Sequence, residues 1–249
     1  MTSIHQQLLK SASQLNLGRF KNSRAAAGQA YVPTDQEHVA NILSHGIMIP
    51  ASIYKLHSMT SRSIDARQLA IARVYGLATL GLFSVSSVFH ILAFWGRFRT
   101  LKEIFHRGDR VFIYLFIAAS YTPWLVLRDY ESDYGLKCLY AVWPAAVFGI
   151  AYQLIFHEKY KWLEVLLYVS VGALPSLKNP NGLGELLTGG AAYMCGVVFF
   201  KLDGIVPFAH AIWHLFVVIG SVLQYNAVST HLVGLRTETI DGVGLESEL

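Results

Sequence analysis

The sequence predicts an all-helical membrane protein, a seven-transmembrane helix bundle with its N-terminus in the cytoplasm and its C-terminus on the extracytoplasmic side. Three observations predict it. Charged residues supply only 14% of the 249 positions and apolar types 53%, against a charged share of ~25% in soluble domains. The mean hydropathy is +0.40. A hydrocarbon core asks ~20 apolar residues of each helix, so seven spans use about 140 residues and leave about 110 for loops and tails. Finally, Lys and Arg divide 12 to 8 between the two sides that seven spans create, which places the richer side, and the N-terminus with it, in the cytoplasm.

The same numbers argue against several classes of protein. Too few charges are present to clothe a soluble DNA-binding protein or a cytosolic enzyme, and too many apolar residues for disorder. The net charge of +4 reads as cytoplasmic loops, and no nucleic acid is expected as a partner. Cys138 and Cys195 are the only cysteines and lie in apolar runs, so buried free thiols are expected in place of a disulfide framework or a cysteine zinc site.

In chain order, residues 1–36 read as a basic cytoplasmic tail, 37–233 as the seven-helix domain and 234–249 as a short acidic tail. The tail has no continuous apolar h-region, so no cleavable signal peptide is expected. Its leucines alternate with Lys10, Arg19, Lys21 and Arg24. That pattern fits either an amphipathic helix on an anionic leaflet or a disordered basic tail that helps set topology. The spans fall at 38–57, 70–96, 108–128, 136–156, 162–177, 184–200 and 205–233. The second is the clearest, since the apolar run Val74 to Trp95 is interrupted by a single charged or imidazole residue, His90. Glu164 weakens the fifth and Gly189-Gly190 the sixth, and the Asn-Pro-Asn-Gly sequence at 179–182 reads as the turn between them. Pro50, Pro123, Pro144, Pro175 and Pro207 fall within spans, where neighbouring helices can satisfy the freed backbone groups.

Ionisable groups at membrane depth are costly and rarely face lipid. Here they are chiefly histidines. The second span ends in Ser86-x-x-x-His90, the third is preceded by His106-Arg107-Gly108-Asp109-Arg110, and the seventh begins with His210-x-x-x-His214. Residues at i and i+4 share a helix face, so Ser86 stacks with His90 and His210 with His214. With the N-terminus inside, the inner ends of the second, third and seventh helices bring His90, Asp109, His210 and His214 to one depth. Three imidazoles at one depth suit a three-histidine zinc site whose fourth position stays open for water. Asp109 is then placed as a general base or as the group that orients the water, and Ser86 to hold the water or a substrate carbonyl. The competing reading is a set of interhelical hydrogen-bonded histidines. A soluble metalloprotease helix is excluded, because Ala211 stands where His-Glu-x-x-His needs its glutamate.

The first span adds a stripe of Glu37, Asn41, Ser44 and His45 on one face. It fits a hydrogen-bond network holding the first helix to the second and seventh, or a direct role at the site. His5, His38, His57, His157 and His231 lie near span ends or in tails and read as interfacial. Phe89, Phe208 and Trp213 read as packing or interfacial aromatics.

Taken together, Glu37-x-x-x-Asn41-x-x-Ser44-His45, Ser86-x-x-x-His90, His106-x-x-Asp109-Arg110 and His210-x-x-x-His214 resemble the motif set of the hemolysin III / progestin and adipoQ receptor family. The segments 114–125, 157–161 and 199–216 are most similar to the macrophage-differentiation branch of that family. The resemblance runs from about residue 19 to 230. It implies seven helices, a cytosolic N-terminus, and zinc near the cytoplasmic face on His90, His210 and His214, with Asp109 and Ser86 beside the zinc water. Glu37, Asn41, His45, His106 and Arg110 would then surround the site.

For function, the branch implies an endomembrane protein of the Golgi or of late endosome and lysosome, acting as a receptor or scaffold in Ras or macrophage-activation signalling. Its partners would be membrane lipids and cytosolic signalling proteins at the basic second loop, Arg97 to Arg110. The wider superfamily includes alkaline ceramidases and implies an alternative, a zinc-dependent hydrolase of ceramide-like lipid amides that uses Asp109 and zinc-bound water.

Overall fold

A computed structural model of the chain describes residues 20–26, 28–128, 130, 133–156 and 183–234. The predicted fifth span, the 179–182 turn, the first 19 residues and most of the acidic tail lie outside the described residues. The described residues form helices and their connections, with no strand among them: α1 (Asp35–Gly46), α2 (Met48–Arg62), α3 (Ala66–Trp95), α4 (Arg99–Leu127), α5 (Tyr134–Ile155), α6 (Leu183–Phe200) and α7 (Ala209–His231). Four of these, α3, α4, α5 and α7, are long and apolar enough to cross a membrane, and α6 is a shorter apolar helix.

The helix boundaries follow from local chemistry. Thr34 opens α1 with a capping box: its hydroxyl accepts from the Glu37 N–H, and the Glu37 carboxylate accepts from the Thr34 N–H at 2.8 Å. Asp65 caps α3 by accepting from the Gln68 N–H at 2.7 Å. Gly96 ends α3 in the left-handed region, at φ 67°. The first predicted span is a helix in two parts, α1 and α2, interrupted at Ile47. Pro50 explains the interruption, because it lacks the N–H that would bond the Gly46 carbonyl.

Four expectations are corrected. The third helix starts at Arg99, nine residues before its apolar stretch, so His106 to Arg110 lie within α4. The basic second loop thus shrinks to residues 96–98. Hydropathy marks where a helix meets lipid; the backbone continues past that boundary. Pro207 precedes α7, where its missing N–H costs no helical bond. Cys195 is exposed on α6 and Cys138 is half-buried at the edge of the core between α4 and α5. The Gly189-Gly190 pair does not break α6. Close approach of α6 to α7 depends instead on other glycines: a Cβ on Gly196 of α6 would lie 2.7 Å from Phe216 Cβ, and one on Gly220 of α7 2.6 Å from the Tyr193 ring, a use of small residues common in membrane bundles.

Packing brings together the helix ends that bear His90, His210 and His214, termed the inner ends for their position beside the histidines, the opposite ends being the outer ones. α3 lies against α1, α2 and α4; α7 lies against α6 and α1; and α4 also meets α5 and α7. The α1 helix is therefore shared by α3 and α7. Fully buried Tyr75, Phe83, Phe116 and Trp124 form the larger core, and Tyr114, Val142 and Ala146 a second core between α4 and α5. In lipid such contacts act through van der Waals packing and interhelical hydrogen bonds. One such bond is the buried Gln224 amide of α7 donating to the Ser120 carbonyl of α4 at 3.1 Å.

Candidate metal centre

The second-to-last turn of α3 presents His90, and the first two turns of α7 present His210 and His214. Their ligand-capable atoms all lie within 4.8 Å of one another. The ring centroids form a nearly regular triangle: 5.4 Å from His90 to His210, 5.1 Å from His90 to His214, and 4.8 Å from His210 to His214. The rings incline to one another by 64–68°. Rings so inclined are not stacked, and they leave space for an ion at a common centre.

A different protein group lies beside the Nδ1 atom of each ring. Ser44 donates its hydroxyl hydrogen to the Asn41 carbonyl at 3.0 Å and offers a lone pair to His214 Nδ1 at 3.1 Å. His210 Nδ1 lies 3.1 Å from a carboxylate oxygen of Asp203. The Asn41 amide lies 3.4 Å from His90 Nδ1, with its own oxygen buried and unpartnered, and His90 Nε2 is likewise buried and unpartnered. Turning that amide over lets its oxygen accept from Nδ1–H, which leaves Nε2 as the ligand atom. A histidine whose Nδ1–H is held and whose Nε2 is bare has the form that metal ligands take. The residues therefore fit a zinc ion by donor type, by convergence and by the orphaned Nε2 of His90.

A cavity of about 390 Å³ lies beside the His210 and His214 rings, walled by α3, α4, α6 and α7 and by His45 of α1. Ser86, Asp109, His106 and Arg110 line it together with His210 and His214. Ser86 and Asp109 are close enough for their side chains to interact, and Asp109 is also within electrostatic range of His210. The Ser86 oxygen is buried with no closed hydrogen bond. Most of the remaining wall is apolar, with Phe116, Met194 and Trp213 among its residues.

The other predicted residues divide. His45 lines the cavity and stacks on His214 at 3.7 Å and 11°, edge-on to Phe83. His106 stacks on Phe89 at 4.7 Å. Glu37 is buried, but its carboxylate is taken up at the start of α1 by Thr34 and by the Tyr31 hydroxyl, which donates to it at 2.9 Å. Burial, opposed by the Asn22 N–H and reinforced by Glu37, holds the Tyr31 hydroxyl pKa above its ordinary value, so Tyr31 stays a donor. His38 is not interfacial: it is buried 5.9 Å from His90.

Sequence reasoning missed Asp203. It stands seven residues before His210, in a turn, where helical spacing gives no signal. One signal was available, since Asp203 and Glu185 are the only acidic residues between 183 and 234.

The sequence model of the haemolysin-III related family matches residues 34–225. The chain is 42% identical over 229 residues to monocyte to macrophage differentiation factor of Rattus norvegicus, covering 89% of this chain and 95% of that one. It is 42% identical over 227 residues to the Homo sapiens protein of the same name, covering 88% and 94%. Hemolysin-3 of Bacillus cereus is 31% identical over 205 residues, covering 78% and 90%.

Proposed function

The chain belongs to the haemolysin-III related family, and on that premise we propose that it is a seven-span endomembrane protein of the progestin and adipoQ receptor type that holds zinc and acts in signalling. In this reading the N-terminus is cytoplasmic, the compartment is the Golgi or late endosome and lysosome, and His90, His210 and His214 hold the ion. The carrying observation is that one potential ligand atom from each of His90, His210 and His214 lies within 4.8 Å of the others, with a separate protein group beside each Nδ1 and with His90 Nε2 buried and unpartnered.

The name of its animal relatives, monocyte to macrophage differentiation factor, supports a signalling role in macrophage biology. Zinc would pin α3 to α7, and the cytoplasmic end of α4 would meet partners. Arg97, Arg99, Lys102 and Arg107 give that end a basic surface for signalling proteins or lipid headgroups. Metal analysis of purified full-length protein tests the centre: about one zinc per chain is expected for the wild type and none for His90→Ala. In cells, normal signalling and trafficking by His210→Ala would rule out zinc as a structural pin.

A second reading, hydrolysis of a ceramide-like lipid amide, is favoured by Ser86 and Asp109 lining the cavity beside the histidines. Bound zinc would supply Lewis-acid polarisation and a water of lowered pKa. Asp109 would accept the proton of the attacking water, and Ser86 would donate to the amide carbonyl oxygen. Release of free fatty acid from labelled ceramide should then need both zinc and Asp109, and equal turnover by Asp109→Ala would end this reading.

A further inference from the structure

The segment before α1 does not hang free. Within residues 20–34, the Asn22 N–H donates to the Tyr31 hydroxyl at 3.0 Å and the Asn22 side-chain amide to the Val32 carbonyl at 2.9 Å. Tyr31 then donates to Glu37, which belongs to the capping box of α1. The segment is thereby fastened to the helix that carries Asn41 and Ser44.

Its other edge grips the turn before α7. Lys21 donates to the Gly204 carbonyl at 3.3 Å, and the Phe20 ring lies 5.9 Å from that of Phe208. Phe208 has φ 59°, the only non-glycine residue in the left-handed region among those described. Gly204 has φ +74°, and a Cβ there would come within 2.6 Å of Arg24 Cα and 2.7 Å of Arg24 N. Any side chain at 204 would be strained by its own backbone and would also push Arg24 away. The two segments interlock, and the residue adjoining Gly204 is Asp203, whose carboxylate meets His210 Nδ1 at 3.1 Å.

We propose that residues 20–34 clamp the 203–208 turn so that Asp203 acts as a positioning residue for His210, making the N-terminal segment a working part of the metal centre. The proposal rests on the zinc reading above. Asp203 holds the imidazole in the tautomer that leaves Nε2 bare and fixes the direction in which it points. Such outer partners are worth roughly 10–100-fold in metal affinity. The clamp joins Asp203 to the helix bearing Asn41 and Ser44, so one segment sets all three partners in register.

The test titrates full-length protein in detergent with zinc against a competing chelator and reads the visible absorption of the cobalt(II)-loaded protein as a report on ligand geometry. Asp203→Ala should bind zinc roughly 10–100-fold more weakly with an altered cobalt spectrum. Asp203→Asn, which keeps the shape and an acceptor oxygen, should recover much of the loss. Gly204→Ala, which changes no ligand or partner, should weaken binding roughly 10-fold. Gln68→Ala, which loosens the opposite end of the bundle, should leave affinity and spectrum unchanged. Wild-type affinity in Asp203→Ala overturns the proposal, as does unchanged binding in Gly204→Ala or an equal loss in Gln68→Ala. A wild-type protein that binds neither metal overturns instead the zinc reading on which the proposal stands.

Discussion

Both ends of α7 carry a histidine 3.1 Å from a carboxylate, and the two pairs have opposite meanings. At the inner end His210 meets Asp203 with side chains only 17% and 18% exposed; at the outer end His231 meets Glu185 at 39% and 51%. The inner histidine has two more imidazoles within 5.4 Å of its centroid, and the outer one belongs to no cluster of potential ligands among the described residues. The surroundings differ in kind as well. Outer-end polar groups are largely satisfied locally: Gln68 accepts from the Gly234 N–H at 3.0 Å, and Arg62 donates to Ser229. Inner-end groups include buried atoms without partners, among them both nitrogens of His45, His90 Nε2 and the Ser86 oxygen. A short ion-pair distance does not mark a site; convergence of buried, incompletely satisfied donors does.

Breaking the inner end should have the largest effect. His214→Ala removes a ligand and should lower zinc affinity by more than the roughly 10–100-fold that loss of an outer partner costs, read by metal content after dialysis. Ser44→Ala removes the lone pair beside His214 Nδ1 together with the bond to the Asn41 carbonyl and should cost roughly 10-fold in the same assay. At the outer end the response should shift from metal to stability. Gln68→Ala removes the acceptor of the part-buried Ile64 and Gly234 N–H groups and should lower unfolding stability by about 0.5–1.5 kcal/mol with zinc content unchanged. His231→Ala should be the mildest, changing stability by less than about 1 kcal/mol, an effect that fades as salt is raised. Zinc loss in the outer-end variants would break the contrast between the two ends.

Much of the inner end was legible in the sequence, because its residues obey helical spacing. Ser86 with His90, and His210 with His214, repeat at four residues, and Asn41, Ser44 and His45 share a face. Alternation of span direction supplied the common depth. Three features escaped for physical reasons. Asp203 approaches His210 through a turn, where no fixed period relates sequence distance to spatial distance. The start of α4 was placed at Gly108 because hydropathy changes there, although Arg99 to Arg107 are good enough helix formers to continue the helix. Glu37 has the spacing of a site residue, but Thr34 three positions earlier makes it half of a capping box, a signature that was present and overshadowed by the stripe. The all-helical character and the four long apolar helices followed from composition and run length, which report contact with lipid; the break at Ile47 depended on one missing N–H.

That break is slighter than a turn. Ile47 keeps right-handed helical angles, φ −63° and ψ −22°, so the chain passes from α1 into α2 without reversing and loses only the bond that Pro50 cannot make. Asn41 and Ser44, beside the histidine rings, both lie before the lost bond, and one helical segment of twelve residues carries them as a unit.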